Sequence, residues 1–212
     1  MFGRGMDIFK LAVTGSAGSG KSRVCQRLFS LGWPVFDCDR IAREVVEPGQ
    51  PAYEKMVSLF GPECVAPDQT LDRAKIRAII IESLEMRKKM EAIQHPAILD
   101  ELFNRIEAAF YSGHRMAAAE VPLLFELSME DRFDYNVTIA VDPSVMVDRI
   151  VRRDKVSEAS ARKMLSIQMD LEEKIRRSDR VLWNNRSEQE LMASVDQLDG
   201  FLRKQFLTDP SK

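Results

Sequence analysis

A glycine-rich segment near the start of the chain constrains the fold more than any other feature of the sequence. It reads Gly15-Ser16-Ala17-Gly18-Ser19-Gly20-Lys21-Ser22 and matches the pattern G-x-x-x-x-G-K-S/T in full. A short apolar run, Ile8 to Val13, precedes it. Val24, Leu28 and Leu31 follow it at the spacing of one helix face. This strand–loop–helix context predicts a phosphate-binding loop rather than the glycine-rich turn of an unrelated α/β protein.

The residue types of this loop suit a nucleoside triphosphate and Mg²⁺. Glycines let successive backbone N–H groups turn inward, and the N-terminus of the following helix adds partial positive charge beneath the phosphates. We expect Lys21 to reach the β- and γ-phosphates and the Ser22 hydroxyl to bind Mg²⁺. The whole segment 15–22 is therefore the predicted nucleotide-binding loop.

Short apolar runs that alternate with longer helical patterns predict an α/β fold with a parallel sheet flanked by helices. The five predicted strands are Ile8–Val13, Trp33–Phe36, Met116–Val121, Asn136–Val141 and Arg180–Trp183. Pro96 is predicted to open a helix that ends at Gly113. Residues 62–113 and 149–178 are helical in pattern but do not fit a simple strand–helix alternation. Both are candidates for insertions over the active site.

Length, charge and cysteine content narrow the possible classes of protein. A chain of 212 residues suffices for one α/β core with small insertions. Its net charge of −2 gives no reason to expect nucleic acid or a membrane as a partner. The three cysteines form no Cys-x-x-Cys pair, which argues against disulfides and zinc and favours the cytoplasm. No signal peptide or membrane span is predicted, and the residues before Ile8 resemble an extension.

Two aspartates follow the second predicted strand directly. Strand C-termini of an open α/β sheet face the ligand crevice, so Asp37 and Asp39 are candidates for a base or for holding a metal-bound water. An aspartate in this position is as often the N-cap of the next helix. Both interpretations stay open from spacing alone.

Arginines in a later helix form a second candidate group. Arg149 and Arg153 are four residues apart and share a helix face, which suits a lid that closes over phosphates. A solvated amphipathic helix would show the same pattern. Glu120 and Glu126, at the end of the third strand, could also enter the crevice, although Glu120 could equally be a surface residue. His95 fits a cap or a packing role better than a base.

These segments together resemble the dephospho-coenzyme A kinase family, from Leu11 to about Asn185. The resemblance rests on Thr14 to Ser22, Asp37-Cys38-Asp39-Arg40-Ile41-Ala42-Arg43, Val45 to Gly49, His95-Pro96, Val121 to Glu126, Arg149-x-x-x-Arg153-Asp154, Gln168, Asp179-Arg180-Val181 and Asn184-Asn185. The phosphate loop is common to many families. The segments around Asp39 and before Glu126 are much more selective.

The resemblance implies a nucleoside-monophosphate-kinase-like fold in three parts. These are a nucleotide-binding core (1–61, 114–148 and 179–212), a helical acceptor-binding domain (62–113) and a helical lid (149–178). It implies transfer from ATP, with Mg²⁺, to the ribose 3′-hydroxyl of dephospho-coenzyme A, the last step of coenzyme A synthesis. Asp39 is then the base, Arg149 and Arg153 belong to the lid with Lys21 in the phosphate loop, and Asn184 and Asn185 lie near the adenine.

Besides the extension before Ile8, two segments depart from the family pattern. The loop has Gly-Ser-Ala-Gly where the family often has Gly-Gly-Ile-Gly. The asparagine pair follows Trp183, where an acidic residue is expected, and precedes Arg186, where a glycine is expected. Another small-molecule kinase, of nucleoside or shikimate type, would share the mechanism. A switch or transport ATPase is disfavoured because the Asn-Lys-x-Asp and Leu-Ser-Gly-Gly-Gln signatures are absent. Oligomeric state is not determined by the sequence.

Overall fold

A computed structural model describes residues 8–166 and 168–207 of the chain. The predicted extension before Ile8 lies outside the described residues. The described chain divides into two compact units. The first comprises the residues up to Phe36 and those from Ile106 onward, and the second comprises Asp37–Arg105.

The first unit is built on a five-stranded sheet. Its strands are β1 (Phe9–Thr14), β2 (Val35–Asp37), β3 (Met116–Glu120), β4 (Tyr135–Ala140) and β5 (Arg180–Trp183), in the order β2-β3-β1-β4-β5. β1 runs parallel to β3 and β4, and β4 runs parallel to β5. The predicted α/β class with a parallel sheet is confirmed. β1, at the centre of the sheet, leads directly into the glycine-rich loop.

The second strand begins later than predicted, at Val35 instead of Trp33. The backbone N–H groups of Gly32 and Trp33 donate to Phe29 and Leu28 at the end of the preceding helix, at 2.9 and 3.1 Å. Gly32 has a φ of 89°, the left-handed conformation that glycine commonly adopts just after a helix. The backbone N–H of Trp33 therefore belongs to the end of the helix and not to a strand. Pro34 has no N–H that could donate to a neighbouring strand.

Helices account for most of the remaining chain. They are α1 (Lys21–Ser30), α2 (Cys38–Glu44), α3 (Pro51–Phe60), α4 (Arg73–Glu82), α5 (Leu84–Tyr111), α6 (Pro143–Asp154), α7 (Glu158–Ser166), α8 (Leu171–Arg177) and α9 (Glu188–Phe206). Short 3₁₀ turns lie at Pro62–Cys64 and Glu130–Arg132. The helical character predicted for 62–113 and 149–178 is confirmed. No helix within the described ranges is both long enough and apolar enough to cross a bilayer.

The prediction that Pro96 opens a helix is wrong, because α5 begins twelve residues earlier and contains Pro96 in its interior. Ser83 caps the true start, where its Oγ accepts a hydrogen bond from the Met86 N–H at 3.2 Å. Proline usually marks a helix start because an interior proline removes a backbone hydrogen bond. Here twelve residues of regular helix precede it. The predicted end at Gly113 is confirmed by its φ of 94° and its bond to the Phe110 carbonyl.

The core of the first unit lies between β1 and the two helices α1 and α9. Leu11 and Val13 of β1 are fully buried in it. α9 contributes a stripe of apolar residues at helical spacing, namely Leu191, Val195, Leu198 and Leu202. α1 contributes Val24, Cys25 and Leu28. The loop between β1 and α1 is thus anchored at both ends by buried side chains.

Two adjacent residues of α1 provide a matched test of this packing. Leu28 is fully buried, whereas the Phe29 side chain is 69% exposed. Leu28→Ala should lower the free energy of unfolding by about 2–5 kcal/mol, because it leaves a cavity in the core. Phe29→Ala should change it by less than about 0.5 kcal/mol. Urea denaturation of both variants measures the difference, and equal losses would contradict this packing.

Candidate active site

The backbone of the glycine-rich loop requires glycine at two positions. Gly15 has a φ of 145°, and a Cβ there would lie 2.5 Å from the Ile139 carbonyl oxygen. Gly20 has a φ of 98°, and a Cβ there would lie 2.4 Å from Nδ2 of Asn184. Neither approach leaves room for a side chain. The glycines therefore let the loop pass close to β4 and to the segment after β5.

Lys21 is held inside this loop. Its side chain is buried, and its Nζ donates to the carbonyl oxygens of Gly15 and Ser16 at 2.9 and 3.1 Å. The ammonium group therefore lies within the curve of the loop, at the first turn of α1. A positive charge and a helix N-terminus in the same place favour a bound phosphate.

Ser22 connects the loop to the neighbouring strand. Its Oγ donates to Oε1 of Glu120 at 3.2 Å, and Glu120 is the last residue of β3 and pairs in register with Val13. A hydroxyl and a carboxylate oxygen this close are the ligand types that Mg²⁺ prefers, together with phosphate oxygens. Within the described residues no cluster of three or more His, Cys, Asp or Glu could hold a metal by itself. The donor set therefore fits an ion that arrives with a nucleotide.

Asn184 joins three elements around the loop. Its Nδ2 donates to the Ser19 carbonyl at 2.8 Å, and its backbone N–H donates to Ala140 at the end of β4. Its own carbonyl accepts a bond from the Arg149 guanidinium at 3.0 Å. Asn184 is buried, so these bonds fix the position of the loop relative to β4 and α6.

Asn185 lies at the edge of an open cavity of about 460 Å³. Its Oδ1 accepts a hydrogen bond from the Asp142 N–H at 2.8 Å. Asp142, Asn185 and the two residues Trp183 and Arg186 line this cavity. The Trp183 side chain is 53% exposed and gives the cavity an aromatic wall. The two asparagines predicted to act together therefore face different surroundings, one inside the loop and one at this cavity.

The two arginines predicted for the lid differ in their contacts. Arg149 is partly buried, and its bond to Asn184 connects it to the loop. Arg153 instead forms a bidentate ion pair with the neighbouring Asp154, at 2.7 and 2.9 Å. This hydrogen bonding lowers the pKa of the Asp154 carboxyl and raises the pKa of Arg153. The structure brings Arg149 to the loop and pairs Arg153 with its neighbour.

Gln168 also contacts the loop. Its Oε1 accepts a hydrogen bond from the Ala17 N–H at 3.1 Å. The side-chain amide of Gln168 is thereby hydrogen-bonded to a backbone N–H of the phosphate-binding segment. The sequence marked Gln168 only through family resemblance, and a glutamine after a helix carries no independent signal of such a contact.

A buried ion pair that the sequence did not predict lies beside the loop. Lys174 of α8 is fully buried, and its Nζ lies 2.7 Å from Oε1 of Glu126. The same Oε1 accepts a hydrogen bond from the Met169 N–H at 3.1 Å. Glu126, predicted as a possible crevice residue, is thus engaged by the segment between α7 and α8. The burial of Lys174 could not be predicted because the residue lies in a highly charged stretch of sequence that resembles a solvated helix.

The two aspartates after β2 are separated by their hydrogen bonds. Oδ1 of Asp37 accepts bonds from the N–H groups of Asp39 and Arg40 at 2.8 and 3.3 Å, so Asp37 is the N-cap of α2. Asp39 lies in the first turn of α2 and is exposed. The N-cap interpretation is thus confirmed for Asp37, which leaves Asp39 as the candidate base. His95 lies inside α5 and not at a helix start.

Known proteins resemble this chain in sequence and in fold. A family model described as dephospho-CoA kinase matches residues 9–190. A dephospho-CoA kinase of Bacillus thuringiensis subsp. konkukian is 37% identical over 199 residues, which cover 94% of this chain and 98% of the relative. The crystal structure of TT1252 from Thermus thermophilus has a TM-score of 0.80 at 30% identity, over 92% of this chain and 98% of that one. Dephospho-CoA kinase from Campylobacter jejuni shares the fold, with a TM-score of 0.71 at 24% identity and the same coverage.

The parallel sheet, the phosphate-binding loop after β1 and the buried lysine within it define a P-loop protein that binds a nucleoside triphosphate. The family match and the close relatives specify a kinase. The chain belongs to the dephospho-CoA kinase family, whose members use ATP in the last step of coenzyme A synthesis. The rival interpretations, a nucleoside or shikimate-type kinase and a switch or transport ATPase, are not supported by these relatives.

The buried pair of Lys174 and Glu126 leads to a prediction about stability. Lys174→Met should lower the free energy of unfolding by about 3–5 kcal/mol, because it leaves a buried carboxylate without its partner. Adding Glu126→Gln removes that charge and keeps an oxygen for the Met169 N–H. The double variant should therefore recover most of the loss, as measured by chemical denaturation.

An exposed ion pair supplies the matched control. Arg162 and Glu158 are bonded at 2.7 Å, with side chains 64% exposed. Arg162→Met should cost less than about 1 kcal/mol. Strictly additive losses for Lys174→Met and Glu126→Gln would show that the buried pair does not act as a unit.

Proposed function

We propose that this chain transfers the γ-phosphoryl group of ATP, with Mg²⁺, to the ribose 3′-hydroxyl of dephospho-coenzyme A, giving coenzyme A and ADP. The observation that carries this proposal is Lys21, buried within the loop beside the bonded pair of Ser22 and Glu120. ATP and dephospho-coenzyme A are the two small-molecule substrates.

The phosphates of ATP would lie along residues 15–22. Backbone N–H groups of the loop bind their oxygens, and the Lys21 ammonium offsets the charge that develops on the transferring group. Ser22 and Glu120 would hold Mg²⁺, which supplies charge neutralisation to the β- and γ-phosphates when bound. Asn184 keeps the loop in position, and Asn185 with Trp183 lies where the adenine would bind.

Asp39 is the proposed base. Its exposed carboxylate accepts the proton of the 3′-hydroxyl as the hydroxyl oxygen forms a bond to the γ-phosphorus. The bond between that phosphorus and the bridging oxygen breaks in line, and the electron pair leaves with ADP. Asp39 subsequently loses its proton to solvent.

The helical segments have proposed roles on either side of this reaction. Residues 149–178 would form a lid over the core formed by 1–61, 114–148 and 179–212. Arg149 and Arg153 contribute guanidinium groups to the transferring phosphate, and Arg153 exchanges its bond to Asp154 for one to phosphate. Residues 62–113 would bind the acceptor.

A coupled assay for ADP release from MgATP, with and without dephospho-coenzyme A, tests this function. Release should depend on the acceptor, and mass spectrometry should detect coenzyme A. Removal of Mg²⁺ with EDTA should abolish both signals. Rapid turnover of a nucleoside with none of dephospho-coenzyme A would overturn the assignment, and hydrolysis that is independent of any acceptor would favour an ATPase.

The role of Asp39 leads to a prediction with a matched control two residues away. Asp39→Asn should lower kcat by about 10²–10⁴-fold, because proton transfer is lost while ATP binding remains. Asp37→Asn should leave kcat nearly unchanged, since asparagine also caps a helix N-terminus. Steady-state kinetics and ATP titration compare the two. Near-normal turnover in Asp39→Asn would remove Asp39 from this role.

Lys21 should affect both binding and turnover. Lys21→Ala removes the ammonium that lies within the phosphate loop. The affinity for ATP, measured by isothermal titration calorimetry, should fall together with kcat by at least about tenfold each. Unchanged ATP affinity would contradict the proposed position of the phosphates.

A further inference from the structure

A small cavity in the second unit is lined by α2, α3, α4 and α5. It has a volume of about 160 Å³, and most of its wall is apolar. Its polar side chains are Arg73 and Arg77 of α4 and Gln94 of α5. None of the described residues that line it is acidic. This cavity therefore presents two positive charges with no lining carboxylate to neutralise them.

The contacts of these two arginines set them apart from neighbouring cations. The stretch from 73 to 89 contains six Lys and Arg residues: Arg73, Lys75, Arg77, Arg87, Lys88 and Lys89. Lys75 pairs with Asp72, Arg87 with Glu91 and Lys89 with Glu85. Throughout the part of the chain that the structure describes, no carboxylate pairs with Arg73 or Arg77. Lys88 lacks an ion pair as well, but it does not line the cavity.

The spacing along α4 places both arginines at the wall of the same cavity. Arg73 and Arg77 are four residues apart and therefore lie on the same helix face. Buried Ile76 and partly buried Ile80 lie beside them in the cavity wall. Arg73 and Arg77 are both solvent-exposed, so an incoming anion can reach their guanidinium groups. Two arginines at this spacing suit a ligand that carries two adjacent negative charges.

A larger cavity in the second unit carries the opposite balance of charge. It has a volume of about 390 Å³ and lies between α3 and α5. Its charged side chains are Lys55, Asp100 and Glu101. With more acids than bases, it does not suit an anion. The charge pattern therefore favours the smaller cavity over this one as a site for an anion.

The smaller cavity lies close to the proposed base. Ala42 of α2 forms part of its wall, and Asp39 precedes Ala42 by three residues on the same face of α2. The distance along the helix axis is about 4.5 Å. A ribose whose 3′-hydroxyl contacts Asp39 carries its 5′-phosphate on the same sugar ring. An anionic group attached there would lie within reach of the cavity.

We propose that Arg73 and Arg77 bind the pyrophosphate of the acceptor. This inference rests on the proposed function, because only that acceptor brings a pyrophosphate to the second unit. Each guanidinium can form two parallel hydrogen bonds to one phosphate group, so the two arginines match the two negative charges of a pyrophosphate diester. The site holds the acceptor so that its 3′-hydroxyl faces Asp39.

Binding measurements on the full chain test the proposal. Dephospho-coenzyme A is titrated by calorimetry into the wild type and into Arg73→Ala, Arg77→Ala and the double variant. Each single variant should bind about ten- to a hundredfold more weakly, because a charge-assisted hydrogen bond is lost. In turnover, the KM for dephospho-coenzyme A should rise by the same factor, while kcat and the KM for ATP stay unchanged.

Two neighbouring residues give matched controls. Lys88→Ala removes a cation that lacks an ion pair but lies off the cavity, and Arg87→Ala removes an arginine that is paired with Glu91. Both should bind dephospho-coenzyme A as the wild type does. The affinity of the wild type should also fall more steeply with added salt than that of the double variant.

The outcomes separate this inference from the proposed function. If the wild type binds dephospho-coenzyme A and the two arginine variants bind it equally well, or lose no more than Lys88→Ala, then Arg73 and Arg77 are only surface charges. A rise in the KM for ATP equal to that for the acceptor would also overturn the assignment. If the wild type neither binds nor phosphorylates dephospho-coenzyme A, the proposed function itself fails, and this inference fails with it.

Discussion

One buried residue, Asn184, connects the elements on which the site depends through its side chain and its backbone. Its amide bonds the Ser19 carbonyl, its backbone bonds the end of β4, and its carbonyl accepts the guanidinium of Arg149. The loop can pass so close to this amide only because Gly20 has no side chain. Burial makes each of these polar groups dependent on its partner, since an unpaired one would cost free energy. The phosphate loop, the central sheet and α6 therefore keep one arrangement.

A second set of contacts holds the loop from the side of α7 and α8. The Gln168 amide bonds Ala17 of the loop, while the ion pair of Lys174 and Glu126 attaches α8 to the segment after β3. Movement of this region away from the loop would have to separate a fully buried lysine from its carboxylate. The segment 149–178, proposed as a lid, is thus bonded to the loop and to the segment after β3.

The second unit shows how tertiary structure sorts charges that are equivalent in sequence. Six Lys and Arg residues between 73 and 89 resemble one solvated run. Three of them form ion pairs with nearby acids, whereas Arg73 and Arg77 line a mostly apolar cavity. Helix spacing predicts which residues share a face, but the packing of α4 against other helices decides what that face meets. The assignment of an acceptor pyrophosphate to these two residues follows from that packing.

The sequence by itself determined the parallel α/β fold and the phosphate loop, because apolar periodicity and glycine spacing are local properties of the chain. It indicated the family through resemblance, mainly in the segments around Asp39 and before Glu126. It misplaced the starts of β2 and α5, since Trp33 is used to cap a helix and Ser83 caps a helix that continues through Pro96. It left the roles of Asp37 and Glu126 open. The local backbone conformation decided that Asp37 caps α2. Only tertiary structure decided the role of Glu126 and revealed the burial of Lys174, because their partners are distant in sequence and are brought together by packing.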